Sequence, residues 1–516
     1  MNLAPRHAKR SRSTRRRGRR SIALLAPCAG ILISGCTVGP DFHRPAAPQV
    51  AGYTAEPLPA QTAAAPVRGG EVQRFLAERD LPGEWWQLFR SPALTALVQQ
   101  ALDANPDVEA AQAALRQARE NVYAQEGAFY PNVQAGFIAS REKNAVDVVS
   151  PTLTSGQALF NLYTPQVFVS YALDTWGGNR RQVESLQAQA EAQRFQLEAT
   201  YLTLTSNVVA ASIQEGSLRA QVAATREVIR IEGDQLALLR RQYELGAVAG
   251  ADVAAQEAAL AQTEVTLPTL QKQLAQQRDL IARLAGRFPS DEPGQRFELD
   301  DLTLPQELPL GLPSRLVEQR PDVRSAEANL HSASAQVGVA TANMLPQITL
   351  SANAGSTSTQ FHQLFTSPTA FWGLTAGILQ PLFEGGTLLH RKRAADAALE
   401  QAAAQYRGTV LTAFQNVADA LHALDRDAQA LAAAARAERA AADSLAIAQR
   451  TMELGATSFL PLLVAQQTYQ QALIGLAQAR ANRYADTAAL FQALGGGWWS
   501  GETAQRAEMS AGMDPP

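Results

Sequence analysis

The chain is written twice, and that limits its fold more than any other feature. Asn105-Pro106-Asp107-Val108 recurs as Arg320-Pro321-Asp322-Val323, and Tyr130-Pro131 as Leu345-Pro346, each 215 residues later. Gly177-Gly178 recurs as Gly385-Gly386, and Glu244-Leu245-Gly246 as Glu453-Leu454-Gly455, at offsets of 208 and 209. Landmarks in one shared order define a two-fold duplication. The shrinking offset puts a longer loop in the first copy, between Pro131 and Gly177.

Each copy reads as helix, two strands, long helix, shorter helix. The helix over 101–129 stops at Tyr130-Pro131, because proline supplies no amide and pushes the preceding residue out of the helical region. Val133, Ala135, Phe137 and Ala139 then alternate along one strand. Val167, Val169, Tyr171 and Leu173 alternate against Gln166, Ser170 and Asp174 along the next. In the second copy Ile348, Leu350, Ala352 and Ala354 oppose Gln347, Thr349, Ser351 and Asn353, and Trp372, Leu374, Ala376 and Ile378 follow. These are period-two patterns, of a length that suits a membrane barrel as well as a soluble sheet.

Neither Gly178–Glu244 nor Gly386–Glu453 contains a proline. At the helical rise each run would extend roughly 100 Å. Leu197, Tyr201, Leu204, Val208, Ala211, Leu218, Val222, Ile229, Leu236 and Leu239 form a near-heptad seam. Leu411, Phe414, Ala418, Leu421, Leu424, Ala428 and Leu431 form its counterpart, as coiled-coil packing requires. The shorter helices 101–129 and 246–286, stacked end to end, would match one long helix. Aromatic residues are only 6% of the chain, which agrees with long helices packed at close range.

Four strands cannot close a membrane barrel, since single-chain barrels start at about eight. An open sheet in lipid would leave backbone groups unpaired. Strands placed in a membrane therefore require two, three or four copies of the chain, and the residues alone do not choose among these.

The N-terminus says which compartment to consider. Residues 1–20 hold nine basic residues and no acid; the remainder carries 36 basic against 48 acidic residues. Ser21 to Ile33 is an apolar run too short to span a bilayer. A basic start, a short apolar core and small residues describe a secretory signal over 1–35. It ends Leu32-Ile33-Ser34-Gly35-Cys36, which looks like a bacterial lipobox, with Cys36 the lipidation site. Cys28 lies inside the signal, so the mature chain keeps Cys36 as its sole cysteine and forms no internal disulfide. Acyl chains there would anchor the protein without a transmembrane helix. Thr37, not aspartate, follows Cys36, and among bacterial lipoproteins that implies sorting to the outer membrane.

The residues also resemble a known family. Cys36-Thr37-Val38-Gly39-Pro40-Asp41-Phe42, Trp85-Trp86 with Phe89, Asn105-Pro106-Asp107, Tyr130-Pro131, Leu173-Asp174 with Trp176-Gly177, Gln380-Pro381-Leu382-Phe383 and Ala493-Leu494-Gly495-Gly496-Gly497-Trp498 are similar to the TolC-like, NodT/OprM-type outer membrane efflux lipoproteins. The match covers nearly all of 36–499. It implies an α+β membrane protein and a homotrimer. Four strands per chain would build a 12-stranded transmembrane barrel in the outer membrane, continuing into a barrel of long antiparallel helices in the periplasm. It further implies a periplasmic adaptor protein, an inner-membrane transporter of the resistance–nodulation–division type, and contact with outer membrane lipid. No cofactor, metal or nucleic acid is expected.

On this reading 36–70 is a lipid-anchored tether and 71–100 an equatorial N-terminal segment. Repeat 1 is 101–286, the equatorial connector 287–315, repeat 2 316–497, and the tail 498–516. Residues 141–164 and 356–369 become extracellular loops. The periplasmic tip falls at the turns after Leu245 and Leu454, with Gly246 and Gly455 ending the long helices. The resemblance places the aperture at the start of the following helices, around Asp252, Leu460, Pro461, Val464 and Gln467. Relatives often carry aspartate where this chain has Val464. An apolar ring of Leu460 and Val464 would then close the tunnel by dewetting and not by charge, unless Val464 is a buried seam residue. Asp252 would cap its helix or bond across the tip, and Pro461 sits in a first helical turn.

Catalysis finds no support. His43, His331, His362, His390 and His422 have no ligand spacing, and Gly495-Gly496-Gly497 lacks the lysine of a phosphate loop. A periplasmic coiled-coil spacer lipoprotein accounts for the helices and the anchor but not for the paired strands. The outer membrane component of a type I secretion system is the other alternative. The cargo is not written in the sequence.

Overall fold

The computed structural model describes residues 37–50, 52–77, 79–143, 159–291 and 293–499. Cys36, the signal segment, the middle of the 141–164 loop and the tail after 499 lie outside the described residues. In chain order the elements are β1 (Arg74–Ala77), α1 (Pro92–Ala104), α2 (Pro106–Glu126), β2 (Asn132–Lys143), β3 (Leu159–Leu173), α3 (Gly178–Glu244) and α4 (Gly250–Leu284). There follow β4 (Glu307–Leu310), α5 (Pro313–Gln319), α6 (Pro321–Ala342), β5 (Gln347–Ser356), β6 (Ala370–Leu379), α7 (Thr387–Glu453) and α8 (Leu460–Ala493).

The order helix, strand, strand, long helix, helix thus runs through α2–α4 and again through α6–α8. Both long helices have 67 residues. The segment read as one helix over 101–129 is two, α1 and α2, because Asn105-Pro106 breaks it. Pro106 opens the new helix while Asn105 Oδ1 accepts the Asp107 amide at 2.9 Å. The helix read from sequence over 246–286 begins at Gly250, ends at Leu284 and runs through Pro268 at the cost of one ladder bond.

The residues divide into two compact units. The first contains the described residues up to Pro40 with Gln125–Val183 and Gln336–Arg393. Its centre is an antiparallel sheet in the order β2-β3-β5-β6. Register aligns the alternating patterns of all four strands: Val133 faces Val169, Val169 faces Ala352, and Ala352 faces Leu374. One side therefore carries Val133, Ala135, Val167, Val169, Leu350, Ala352, Trp372 and Leu374. The other carries Gln134, Ser170, Ser351 and Thr375. Val133, Phe137, Val167, Leu350, Trp372, Leu374 and Ile378 on the apolar side are solvent-exposed in the single chain. Trp176 donates from Nε1 to the Pro346 carbonyl at 2.7 Å. Midway along β2 and in the first half of β3 the rings of Phe137 and Tyr163 stack at 6.5 Å beside Phe361. Val38 donates to the Trp176 carbonyl, a Cβ at Gly39 would come within 2.4 Å of the Gly338 backbone in α6, and one at Gly338 would meet Arg181 and the Val38 carbonyl.

The second unit holds Asp41–Ala124, Glu184–Ala335 and the residues from Ala394 onward. The α7 residues Tyr406, Val410, Ala413, Val417, Leu421, Leu424, Ala428, Leu431 and Ala435 are buried at steps of three and four, close to the period of a coiled-coil seam. Leu411, read from sequence as a seam residue, is 72% exposed. The stripe runs through its neighbour Val410. Trp85, Phe89 and Phe491 meet edge to face with centroids 5.7–6.5 Å apart, and β1 pairs in parallel with β4. The 44–70 segment is strapped to this unit. Arg44 donates to Glu327 at 3.1 Å and Tyr53 Oη to the Gly311 carbonyl at 3.0 Å, while Phe42 stacks on His331 at 4.3 Å.

Candidate functional site

Both long helices end in the same turn. Ala247 N donates to Gln242 O at 2.8 Å and Gly246 N to Tyr243 O at 2.9 Å; Ala456 N donates to Thr451 O and Gly455 N to Met452 O, both at 2.9 Å. This pair of bonds is the Schellman arrangement, which needs a left-handed residue in the glycine position. Gly246 has φ +72° and Gly455 φ +70°. The reversal leaves the preceding leucines without cover: Leu245 is 84% and Leu454 66% exposed.

Beneath the turns lies a small shared core. Leu239 of α3, Leu445 and Ala448 of α7, and Phe459, Leu462 and Ala465 around the start of α8 are all buried together, with Val248 and Val253 packed against them. Burying Leu462, Ala465 and Gln466 fixes the rotation of α8. The opposite face then presents Leu460, Val464 and Gln467, one helical turn apart. Leu460 is 65% and Val464 53% exposed in the single chain, so Val464 is not buried within its own subunit. Pro461 occupies the first turn of α8 and is also exposed.

Asp252 lies in the first turn of α4, half-buried. Its carboxylate caps nothing: Ala249 holds the cap position, without a side-chain bond. Among the described residues Asp252 forms no ion pair or side-chain hydrogen bond with the residues of the α8 face. The structure therefore gathers Leu460, Val464 and Gln467 on one face and leaves Asp252 as a separate charge near a helix N-terminus, where the backbone dipole favours it.

Sequence reasoning passed over the exposure of Leu245 and Leu454, although both lie inside the repeated Glu-Leu-Gly landmark. It also missed Arg483 of α8, which is fully buried and donates to the Leu424 carbonyl and Thr62 Oγ1, each at 3.0 Å. Burial lowers the Arg483 pKa while Asp486, Asp427 and Glu71 oppose that shift.

The sequence matches the profile of the outer membrane efflux protein family over residues 97–287 and 312–496. The chain belongs to that family. This efflux protein is 31% identical to the pyoverdine export outer membrane protein OpmQ of Pseudomonas putida, over 86% of its own length and 94% of the relative's. It is 30% identical to the toluene efflux pump outer membrane protein TtgC of Pseudomonas putida, over 96% and 99% of the two chains. Among solved structures, the outer-membrane channel OprN superposes with a TM-score of 0.79 at 29% identity, covering 90% of this chain and all of that one. The Campylobacter jejuni CmeC outer membrane channel shares the fold, with a TM-score of 0.81 at 20% identity, over 92% of this chain and 98% of that one. The relatives are outer membrane components of efflux and export systems.

Proposed function

We propose that this efflux protein is the passive outer-membrane conduit of a tripartite export system, built from three copies and anchored by lipid on Cys36. One observation carries the reading. Among the described residues β2 and β6 each have a single partner in the sheet, and the apolar residues on its aligned face are exposed. In lipid every backbone group at such edges would need a partner, which three copies supply by closing twelve strands into one wall. The polar side, with Gln134, Ser170, Ser351 and Thr375, would then line water, and the rings of Phe137, Tyr163 and Phe361 would sit at an interfacial girdle.

The helical unit supplies the periplasmic part. Its exposed tip leucines, Leu245 and Leu454, offer apolar contact to a periplasmic adaptor, which connects to an inner-membrane transporter of the resistance–nodulation–division type. Energy and chemistry come from that transporter, and the conduit itself catalyses nothing. The α8 face of Leu460, Val464 and Gln467 forms the aperture, with Pro461 and Asp252 beside it. Relatives of nearly equal identity are named for pyoverdine and for toluene, so cargo selection belongs to the partners.

Mature protein purified in mild detergent tests this. A heat-modifiable trimer that conducts ions in planar bilayers is the expected result. A subunit that stays single, shows no β signal and passes no ions overturns it.

A further inference from the structure

A cavity of about 320 Å³ opens between α1, α2, α3 and the chain that follows α8. Trp86, Tyr201 and Trp498 line it, together with the carboxylates Asp103 and Glu198. No basic side chain is among its described lining residues. Its size and aromatic walls fall in the range of small-molecule sites.

Glu198 is the feature that packing does not explain. It is 4% exposed, yet among the described residues it has neither a hydrogen bond nor an ion pair. The nearest cation in sequence, Arg194, lies one turn earlier on α3 and sets its guanidinium 5.8 Å from the Phe195 ring centroid. Burial pushes the Glu198 carboxyl up to about 7, with Arg194 only partly offsetting it. Buried charges are normally paired. The neighbours keep their own partners: Gln112 donates to Tyr201 Oη at 3.0 Å, Trp498 Nε1 donates to the Gln319 carbonyl at 2.6 Å, and Gln99 donates to Asp103 at 3.1 Å. These walls are held by their own bonds, and among the described lining residues Glu198 is the carboxylate left without a partner.

We propose that this cavity binds an aromatic organic cation, whose charged nitrogen meets Glu198 while its ring fills the space walled by Trp86, Tyr201 and Trp498. Aromatic faces attract cations and apolar rings alike, and a carboxylate without a partner supplies the directional bond. Asp103, at the exposed edge, adds attraction for positive charge. The site is separate from the aperture and does not depend on what the conduit carries.

The probe is ethidium, a planar aromatic cation, titrated by fluorescence into full-length protein in dodecyl maltoside. N-phenyl-1-naphthylamine serves as a neutral aromatic control. One saturable ethidium site per chain is expected, weakened about tenfold or more by Glu198→Gln and retained in Glu198→Asp, with the neutral control unmoved. Photolabelling the wild-type protein with ethidium monoazide gives a readout that needs no variant, and adducts should map to the cavity walls. Equal binding to Glu198→Gln, or adducts mapping elsewhere, overturns the proposal. So does a site that appears only when residues 500–516 are removed, because Arg506 of the chain's own tail would then be the natural occupant.

Discussion

Arg320 donates from Nη1 to the carbonyl oxygen of Ala493 at 3.0 Å. Asn105 donates from Nδ2 to the carbonyl of Leu284, also at 3.0 Å. Both residues precede the proline that opens α2 or α6, and both acceptors are the last residue of a shorter helix, α4 or α8. The runs α2–α4 and α6–α8 thus each tie the beginning of their first helix to the end of their last one, using different side chains before the opening proline. The carbonyls concerned are among those a helix end leaves unpaired.

Removing either donor exposes a buried carbonyl to that deficit. Asn105→Ala should lower stability by about 1–2 kcal/mol, and Arg320→Met by about 2–3 kcal/mol because a charged donor is lost. Arg320 also holds Asp322 at 2.7 Å, which adds to its share. Thermal unfolding of the two variants, followed by circular dichroism, should rank them in that order.

Glycines in left-handed conformation separate into two kinds. A Cβ at Gly246 would meet nothing within 4 Å, whereas one at Gly286, φ +71°, would come within 2.3 Å of the Ala104 carbonyl oxygen. Gly246→Ala therefore carries only the conformational penalty, about 1 kcal/mol. Gly286→Ala adds a collision with backbone and should cost about 3 kcal/mol or more. Equal melting temperatures for the two variants would contradict this account.

The strands and turns were legible because their signals are local. Period-two alternation placed Val133, Val167, Ile348 and Trp372 on the faces that the register later joined, and Glu-Leu-Gly marked both reversals. The β1–β4 pair was not legible: Arg74–Ala77 and Glu307–Leu310 are four residues each, with no alternation, and meet across more than two hundred residues. Leu411 was misassigned because a heptad count on an alanine-rich helix can drift by one position without losing its period. Nothing local singles out Glu198 and Arg483, since only tertiary packing decides that a charge on a helix is buried.

That packing makes stability depend on pH. Burial, then the charge and hydrogen bond of Asp427, push the Asp486 carboxyl up from 3.8 to about 7, against the pull of Arg483. Between those values the folded chain keeps a proton that the unfolded chain releases. Stability contributed by this group is therefore full below about pH 4, falls as pH rises, and levels off above about 7. Asp486→Asn should flatten this slope and gain on the order of 2 kcal/mol at pH 7.5, discounting for partial exposure. Glu198, raised to about 7 by burial, gives a slope of the same sign, so Asp486→Asn with Glu198→Gln should flatten the curve further. Melting temperatures at pH 4.5 and 7.5 decide the matter.

The aperture reading makes the sharpest demand. Leu460 and Val464 stand one turn apart on the exposed face of α8, and three copies would bring six such side chains around one axis. A ring of that kind excludes water, and with it ions, without any charge. Val464→Asp places a carboxylate at an exposed position of α8, so folding should survive the change. The constriction would then hydrate, and planar-bilayer recordings should show a larger resting conductance with a preference for cations. Leu460→Ser should raise conductance without that preference, because it wets the ring but adds no charge. Unaltered closure and selectivity in both variants would place the constriction elsewhere along the tunnel.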